Sequence, residues 1–277
     1  MRFRPLSEQV ILLTGATSGI GLACARRQSK AGVAIHGSVE DVPLVEQRRL
    51  FETNYWGAVN GMLEALRLHR NGNGPAKIIT LGSQLSDRSM IFQGPYSASK
   101  HAAKAVTDAI RMEVMREGLP LSITLIKPGS VDTPYMEHAR NHLGSVGTTN
   151  PPRAYAPEVV ANGIAWACTN HIRDLAVGGA GWLVVKAGQL APTLTDLGMA
   201  AFGRMMQTSD TAPRAGMRDN LTSSARAGET RSNQQGTKAR ELSLFMQAQM
   251  NPVATFAIGA SLLALTLVLK EARTKRA

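Results

Sequence analysis

A chain of 277 residues, 44% of them hydrophobic, is long enough for one α/β domain with a buried core and an appendage. The net charge of +11 would suit a polyanion, but the Lys and Arg residues are scattered and aromatics make up only 5%, so no nucleic-acid footprint is read. Two cysteines, Cys24 and Cys168, cannot build a disulfide framework and fit a reducing compartment, and no cleaved signal peptide is read at the N-terminus.

In chain order, residues 9–14 (QVILLT) form a short apolar run rich in branched side chains and predict a buried strand. A glycine-rich turn follows, and residues 19–30 predict a helix. Between 42 and 69, Leu44, Leu50, Phe51, Met62, Leu63 and Leu66 recur at helical spacing, which predicts one long helix with a break near Gly57. Residues 76–81 (AKIITL) and 122–127 (SITLIK) predict strands, with a helix over 96–117 between them. A helix over 157–169 opens on Pro157, whose missing N–H is no loss in a first turn, and 175–185 predicts a last strand. Strands alternating with helices predict a parallel sheet covered on both faces.

Composition changes after 202. Residues 203–241 contain no Val, Ile, Phe, Tyr or Trp and cannot bury enough apolar surface to offset their ordering entropy, so they predict a flexible linker. Residues 242–269 then carry no charge, and the last part, PVATFAIGASLLALTLVL, spans about 27 Å as a helix, near the lower limit for a bilayer core. Lys270, Arg273, Lys275 and Arg276 follow. The expected division is a domain over 1–202, a linker over 203–241 and a hydrophobic helix over 242–277 acting as a membrane anchor.

Chemistry concentrates at four places. Thr14, Gly15, Ala16, Thr17, Ser18, Gly19, Ile20 and Gly21 join the first strand to its helix, where glycines admit a pyrophosphate to the backbone N–H groups of a helix start. Tyr96 and Lys100 stand at i and i+4 on one helix, so a phenol and an ammonium that favours its ionisation face the same way. Ser83 lies just past strand 76–81, at the carboxyl edge where open α/β sheets bind ligands. Asn54 is a polar residue inside an otherwise apolar helical pattern. His138 and His142 share a helical spacing, but no third ligand accompanies them; they are read as part of a substrate loop, and no metal site is expected.

These residues together resemble the short-chain dehydrogenase/reductase family. TGATSGIG is similar to its TGxxxGxG cofactor loop, Tyr96 to Lys100 to its YxxxK, Ser83 to its serine and Asn54 to its fourth catalytic position. Pro128, Gly129, Val131 and Thr133 resemble its PGxVxT loop, which meets the nicotinamide carboxamide. The resemblance covers residues 7 to about 200. It implies a Rossmann-like doubly wound α/β sheet and an NAD(P)-dependent oxidoreductase acting on a carbonyl or secondary alcohol. In that mechanism Tyr96 exchanges the proton, Ser83 steadies the substrate oxygen, Lys100 holds the ribose and lowers the tyrosine pKa, and Asn54 supports a proton-relaying water. The cofactor contacts it implies are Thr14, Gly15, Thr17, Ser18, Gly19, Ile20, Gly21, Tyr96, Lys100, Pro128, Gly129, Val131 and Thr133. It also implies a homodimer or tetramer through the helices over 42–69 and 96–117, a cytoplasmic domain and an apolar small-molecule substrate.

One departure is large. Only nine residues separate Gly21 from Ala31-Gly32-Val33, which is similar to the end of the family's NNAG motif. With a βαβ unit at about 30 residues, roughly sixty are missing, comprising most of strands 2 to 4 and the strand end that reads the adenosine ribose. NAD therefore cannot be told from NADP. A second expectation follows, that the chain is a catalytically inactive remnant or a membrane-tethered interaction module.

Overall fold

The computed structural model describes residues 33–72, 76–137, 139–144, 147–151, 154–209, 219–221, 230–232 and 239–274. The expected first strand, the glycine turn from Thr14 to Gly21 and the helix over 19–30 lie outside the described residues. So do His138 and the side chains of the last helix beyond Thr266.

The centre is a parallel sheet of β2 (Ala76–Leu81), β3 (Leu121–Pro128) and β6 (Asp174–Val177), in the order β2-β3-β6. Ala76 pairs with Leu121 and Leu81 with Ile126, while Leu125 pairs with Asp174 and Pro128 with Val177. β3 sits in the middle and is covered on both faces, which is why its sequence runs apolar and branched without strict alternation. Its three polar side chains are paired: the Ser122 hydroxyl meets His171 Nδ1 at 2.9 Å, Thr124 donates to the Ile172 carbonyl at 2.7 Å, and Lys127 donates to Asp87 Oδ2 at 2.8 Å.

One face is covered by α2 (Gly57–Arg70) and α3 (Gly94–Arg116), whose Met62, Ala103, Ile110 and Val114 pack on Ile78 and Ile123. The other is covered by α4 (Pro157–Thr169), whose Val159, Val160 and Ile164 pack on Ile126, Leu175 and Val177. The chain therefore has the α/β architecture that its alternating pattern predicts.

The helix predicted over 42–69 is α1 (Leu44–Phe51) continuing into α2, and its predicted break is a π-helical turn over Glu52–Trp56. A π turn is a wider winding by one residue, often found where a helix serves a site. Here it holds Asn54. The strand predicted over 175–185 ends at Val177, because Gly178 takes φ +102°, a conformation that side chains resist, and turns the chain into α5 (Gly179–Leu190), followed by α6 (Pro192–Phe202).

The tail differs most from expectation. Described parts of the predicted linker are docked: β7 (Thr208–Ser209) pairs with β5 (Gly147–Thr148), and Arg240 bridges to the backbone of Ala154 and Ala156. Asp219 accepts from Arg140 Nε at 2.7 Å, and Leu221 is buried. These contacts are backbone pairs and ion pairs, which a count of apolar residues does not register.

The single tail helix resolves into two. α7 (Leu244–Met250) belongs to the domain: Met246 is buried in the core beside Gly163, and the Gln249 amide both accepts from Ala176 N (3.0 Å) and donates to Ala176 O (2.9 Å), covering the free edge of β6. α8 (Pro252–Thr274) follows, with Val253, Phe256, Ile258 and Leu262 exposed. Among the described residues no helix is long and apolar enough to cross a membrane, which corrects the transmembrane expectation for the part of α8 that is described.

A short parallel pair, β1 (Ile35–His36) with β4 (Arg140–Asn141), brings the start of the described chain onto the loop beyond Thr133. Glu46 of α1 clamps it, binding Arg140 and, at 2.7 Å, His142 Nε2. His142 is thus a hydrogen-bond partner of Glu46.

His36 is fully buried with neither ring nitrogen hydrogen-bonded, and burial lowers its pKa from 6.5 to about 4. Its stabilising share is present above pH 6.5, where both states are neutral. It is lost as pH falls from 6.5 towards 4, because the unfolded chain takes up the proton first. The full loss is about 3 kcal/mol. Denaturant midpoints measured from pH 7 to pH 4 should fall less steeply in His36→Leu than in the wild type; equal slopes would contradict the assignment.

Candidate active site

The site is built where β2 and β3 end. β2 stops at Leu81, Gly82 N donates to the Ile126 carbonyl at 2.8 Å, and Ser83 then opens a short 3-10 turn over Gln84–Ser86. Ser83 is held reciprocally: its Oγ accepts from Leu85 N at 3.1 Å, and its N donates to Ser86 Oγ at 3.1 Å. The serine hydroxyl retains its own proton for donation.

Tyr96 lies in the first turn of α3 and Lys100 one turn later, both buried. Lys100 Nζ stands 5.9 Å from the Tyr96 ring centroid and donates to the Leu81 carbonyl at 3.1 Å. Helix and strand end are thereby joined through the lysine itself.

Asn54 reaches the same turn from behind. Its Oδ1 accepts from Val33 N at 3.0 Å, while its Nδ2 donates to Val33 O at 2.9 Å and to Ser99 Oγ at 3.2 Å. Ser99 in turn donates to the Tyr96 carbonyl at 2.7 Å. The asparagine side chain is the buried link between Val33 and α3.

Ser83, Tyr96 and Lys100 line one cavity of about 920 Å³ together with Pro128, Gly129, Val131 and Thr133. Asn54 is not among the lining residues. The volume falls at the upper end of the range of about 300–1,000 Å³ usual for ligand sites. Gly129 is a requirement of the packing: a Cβ there would come within 2.9 Å of Gln84 Oε1.

Tyr96 is so enclosed that burial pushes its phenol pKa up, opposed by the nearby hydroxyls of Tyr135 and then Ser83. The net rise differs from the lowering expected of Lys100 alone. The physical reason is that loss of solvent around a buried phenolate outweighs what its neighbours return.

Three parts of the site have contacts that the sequence reading did not give them. Gln84 donates to the carbonyls of Val177 (3.1 Å) and Gly178 (2.6 Å), tying the end of β2 to that of β6 at the cavity floor. Its only signal is its place directly after Ser83. Tyr135, two residues after Thr133, meets the Tyr96 ring edge-on with centroids 5.6 Å apart. Leu242, Leu244 and Phe245, assigned to the anchor, form part of the cavity wall, with Phe245 against Trp182 at 4.9 Å.

A profile of the short chain dehydrogenase family matches residues 28–144. An uncharacterized oxidoreductase of Bacillus subtilis, YxnA, is 30% identical over 259 residues, covering 71% of this chain and 72% of that protein. The chain belongs to the short-chain dehydrogenase/reductase family. It is an oxidoreductase by lineage. Among solved structures, a family member from Burkholderia phymatum in complex with NAD superposes with a TM-score of 0.59 at 17% identity, covering 70% of this chain and 96% of its own. Another from Burkholderia cenocepacia in complex with NADP gives 0.51 at 19% identity, covering 65% and 72%. These likenesses establish the Rossmann-like α/β fold. This short-chain dehydrogenase spans 37–56% of the length of the next curated relatives it matches.

Proposed function

We propose that the chain is an NAD(P)-dependent oxidoreductase that moves hydride between a nicotinamide and a carbonyl or secondary alcohol, with Tyr96 as general acid and base. One observation carries the reading: Ser83, Tyr96 and Lys100 open into a single cavity at the carboxyl ends of parallel strands.

The residues present fit the nicotinamide end of such a cofactor. Pro128, Gly129, Val131 and Thr133 line the cavity, and the Gly129 position leaves room for backbone only. Lys100 would hold a ribose hydroxyl. The nicotinamide, when bound, supplies or accepts the hydride. Tyr96 passes a proton to the substrate oxygen in reduction and removes it in oxidation, while Ser83 donates a hydrogen bond to that oxygen. Asn54 acts one layer behind, holding the turn that carries Tyr96 through Ser99. The glycine turn from Thr14 to Gly21 is assigned the pyrophosphate, as its strand-to-helix sequence implies. NAD and NADP both suit this reading, since the strand end that discriminates them is missing from the sequence.

The second reading, an inactive remnant or a membrane-tethered interaction module, draws on that gap. Supporting it, the 259 positions aligned with the Bacillus relative exceed the number of residues in 71% of this chain, so gaps fall on this chain's side. The two readings part at nicotinamide binding.

Tyr96→Phe keeps the ring and removes the proton. Turnover of a secondary alcohol or ketone should drop by about 10²–10⁴-fold with thermal unfolding unchanged. Retained turnover would reject Tyr96 as the acid–base group.

For partners, exposed Leu63, Leu68, Met112 and Met115 on α2 and α3 support pairing of two copies through these helices. The exposed apolar side chains of α8 and the basic cluster at the end of the chain support association of a cytoplasmic domain with a membrane. Deletion of residues 252–277 should move the protein from the membrane fraction to the soluble one, where it sediments as a dimer or tetramer. Unchanged fractionation would contradict the anchor, and a monomer would contradict the pairing.

A further inference from the structure

The cavity contains a second buried phenol that the proposed mechanism leaves unused. Tyr135 follows Thr133 and Pro134, and its ring lies edge-on to that of Tyr96, with centroids 5.6 Å apart and planes at 65°. The residue is half-buried, but its hydroxyl is wholly buried beside Tyr96 and, among the described residues, meets no partner at full hydrogen-bond geometry. An unsatisfied buried hydroxyl in a cavity wall is costly, and a site where charge appears during the reaction gives it a use.

We propose that Tyr135 is a positioning residue for the reaction: its hydroxyl donates a hydrogen bond to the Tyr96 oxygen whenever that oxygen is ionised. The inference rests on Tyr96 being the acid–base group. When Tyr96 gives its proton to the substrate oxygen, a phenolate is left in a buried place. Tyr135 then holds it with its hydroxyl proton, while the single proton of Ser83 is given to the substrate oxygen.

Two features set the direction of the bond. Burial holds Tyr135 well above the usual phenol range, and its nearness to Tyr96 pushes it the same way, so Tyr135 keeps its proton. Tyr96 is raised by burial but pulled back first by Tyr135 and then by Ser83, so it is the one to ionise. Among the described residues, the other titratable groups lining the cavity are Lys100 on Tyr96's own helix, Arg88 after the Gln84–Ser86 turn, and Tyr155 and Arg240 from the bridged loops. Arg88 is engaged by Asp196. Of the acidic groups on elements packed against α3, Glu46 is held by Arg140 and His142, and Asp87 by Lys127 and Lys104.

Edge-to-face packing alone would account for the ring, and Tyr135→Phe preserves it while removing the hydroxyl. The chain has 4 tyrosines, so ¹³C-labelled ring resonances can be followed individually by NMR, with that of Tyr96 assigned by its loss in Tyr96→Phe. The pH at which Tyr96 ionises should rise by about one unit in Tyr135→Phe. In alcohol oxidation below that pH, kcat/KM should fall about tenfold and recover as pH is raised. A Tyr96 titration identical in the two proteins would overturn the proposal. The NMR titration needs no turnover, so a wild-type chain without activity would count against the hydride-transfer reading alone.

Discussion

The side chain of Asn54 is the constraint on which the rest of the site depends. It pairs with both backbone groups of Val33 and, through Ser99, with the backbone of Tyr96. Val33 is the first described residue, so the described chain begins tied to α3 by this amide. Losing it would strand a buried N–H and a buried C=O, each worth about 1–3 kcal/mol unsatisfied. The π turn at Glu52–Trp56 is the backbone feature that sets Asn54 there, and β1 and β4, clamped by Glu46, extend the hold to the loop beyond Thr133.

Strands and helices of the central sheet were legible for a simple reason. Residues 76–81 and 157–169 carry their signals locally, an apolar branched run and a proline-opened amphipathic pattern, and the observed elements have the same bounds. The π turn was visible only as a break, because one extra residue per turn leaves the apolar spacing almost unchanged. The docking of Asp219, Leu221 and Arg240 was invisible, since it arises from pairings with distant residues that composition averages away. Leu242 to Met250 read as anchor because an uncharged stretch looks alike whether it faces lipid or a protein core; Met246 and Gln249 show that part of it faces the core.

The candidate residues were legible as types at a spacing, and the structure brings Ser83, Tyr96 and Lys100 to one cavity. Their electrostatics were not. A lysine four residues from a tyrosine suggests a lowered phenol pKa, yet enclosure by Val33, Ala34, Ile35 and Leu50 makes burial the larger effect. Gln84 and Tyr135 carry no signature of their own, because each acts through what surrounds it: two strand-end carbonyls for the amide, a second phenol for the hydroxyl.

The account stands on a nicotinamide seat beside Tyr96. Titrating the purified protein with NADH and NADPH, followed by nicotinamide fluorescence, tests that most directly. Saturable binding of at least one of them, weakened in Lys100→Ala, is the predicted result. No saturable binding of either would contradict it and leave a family fold without its reaction.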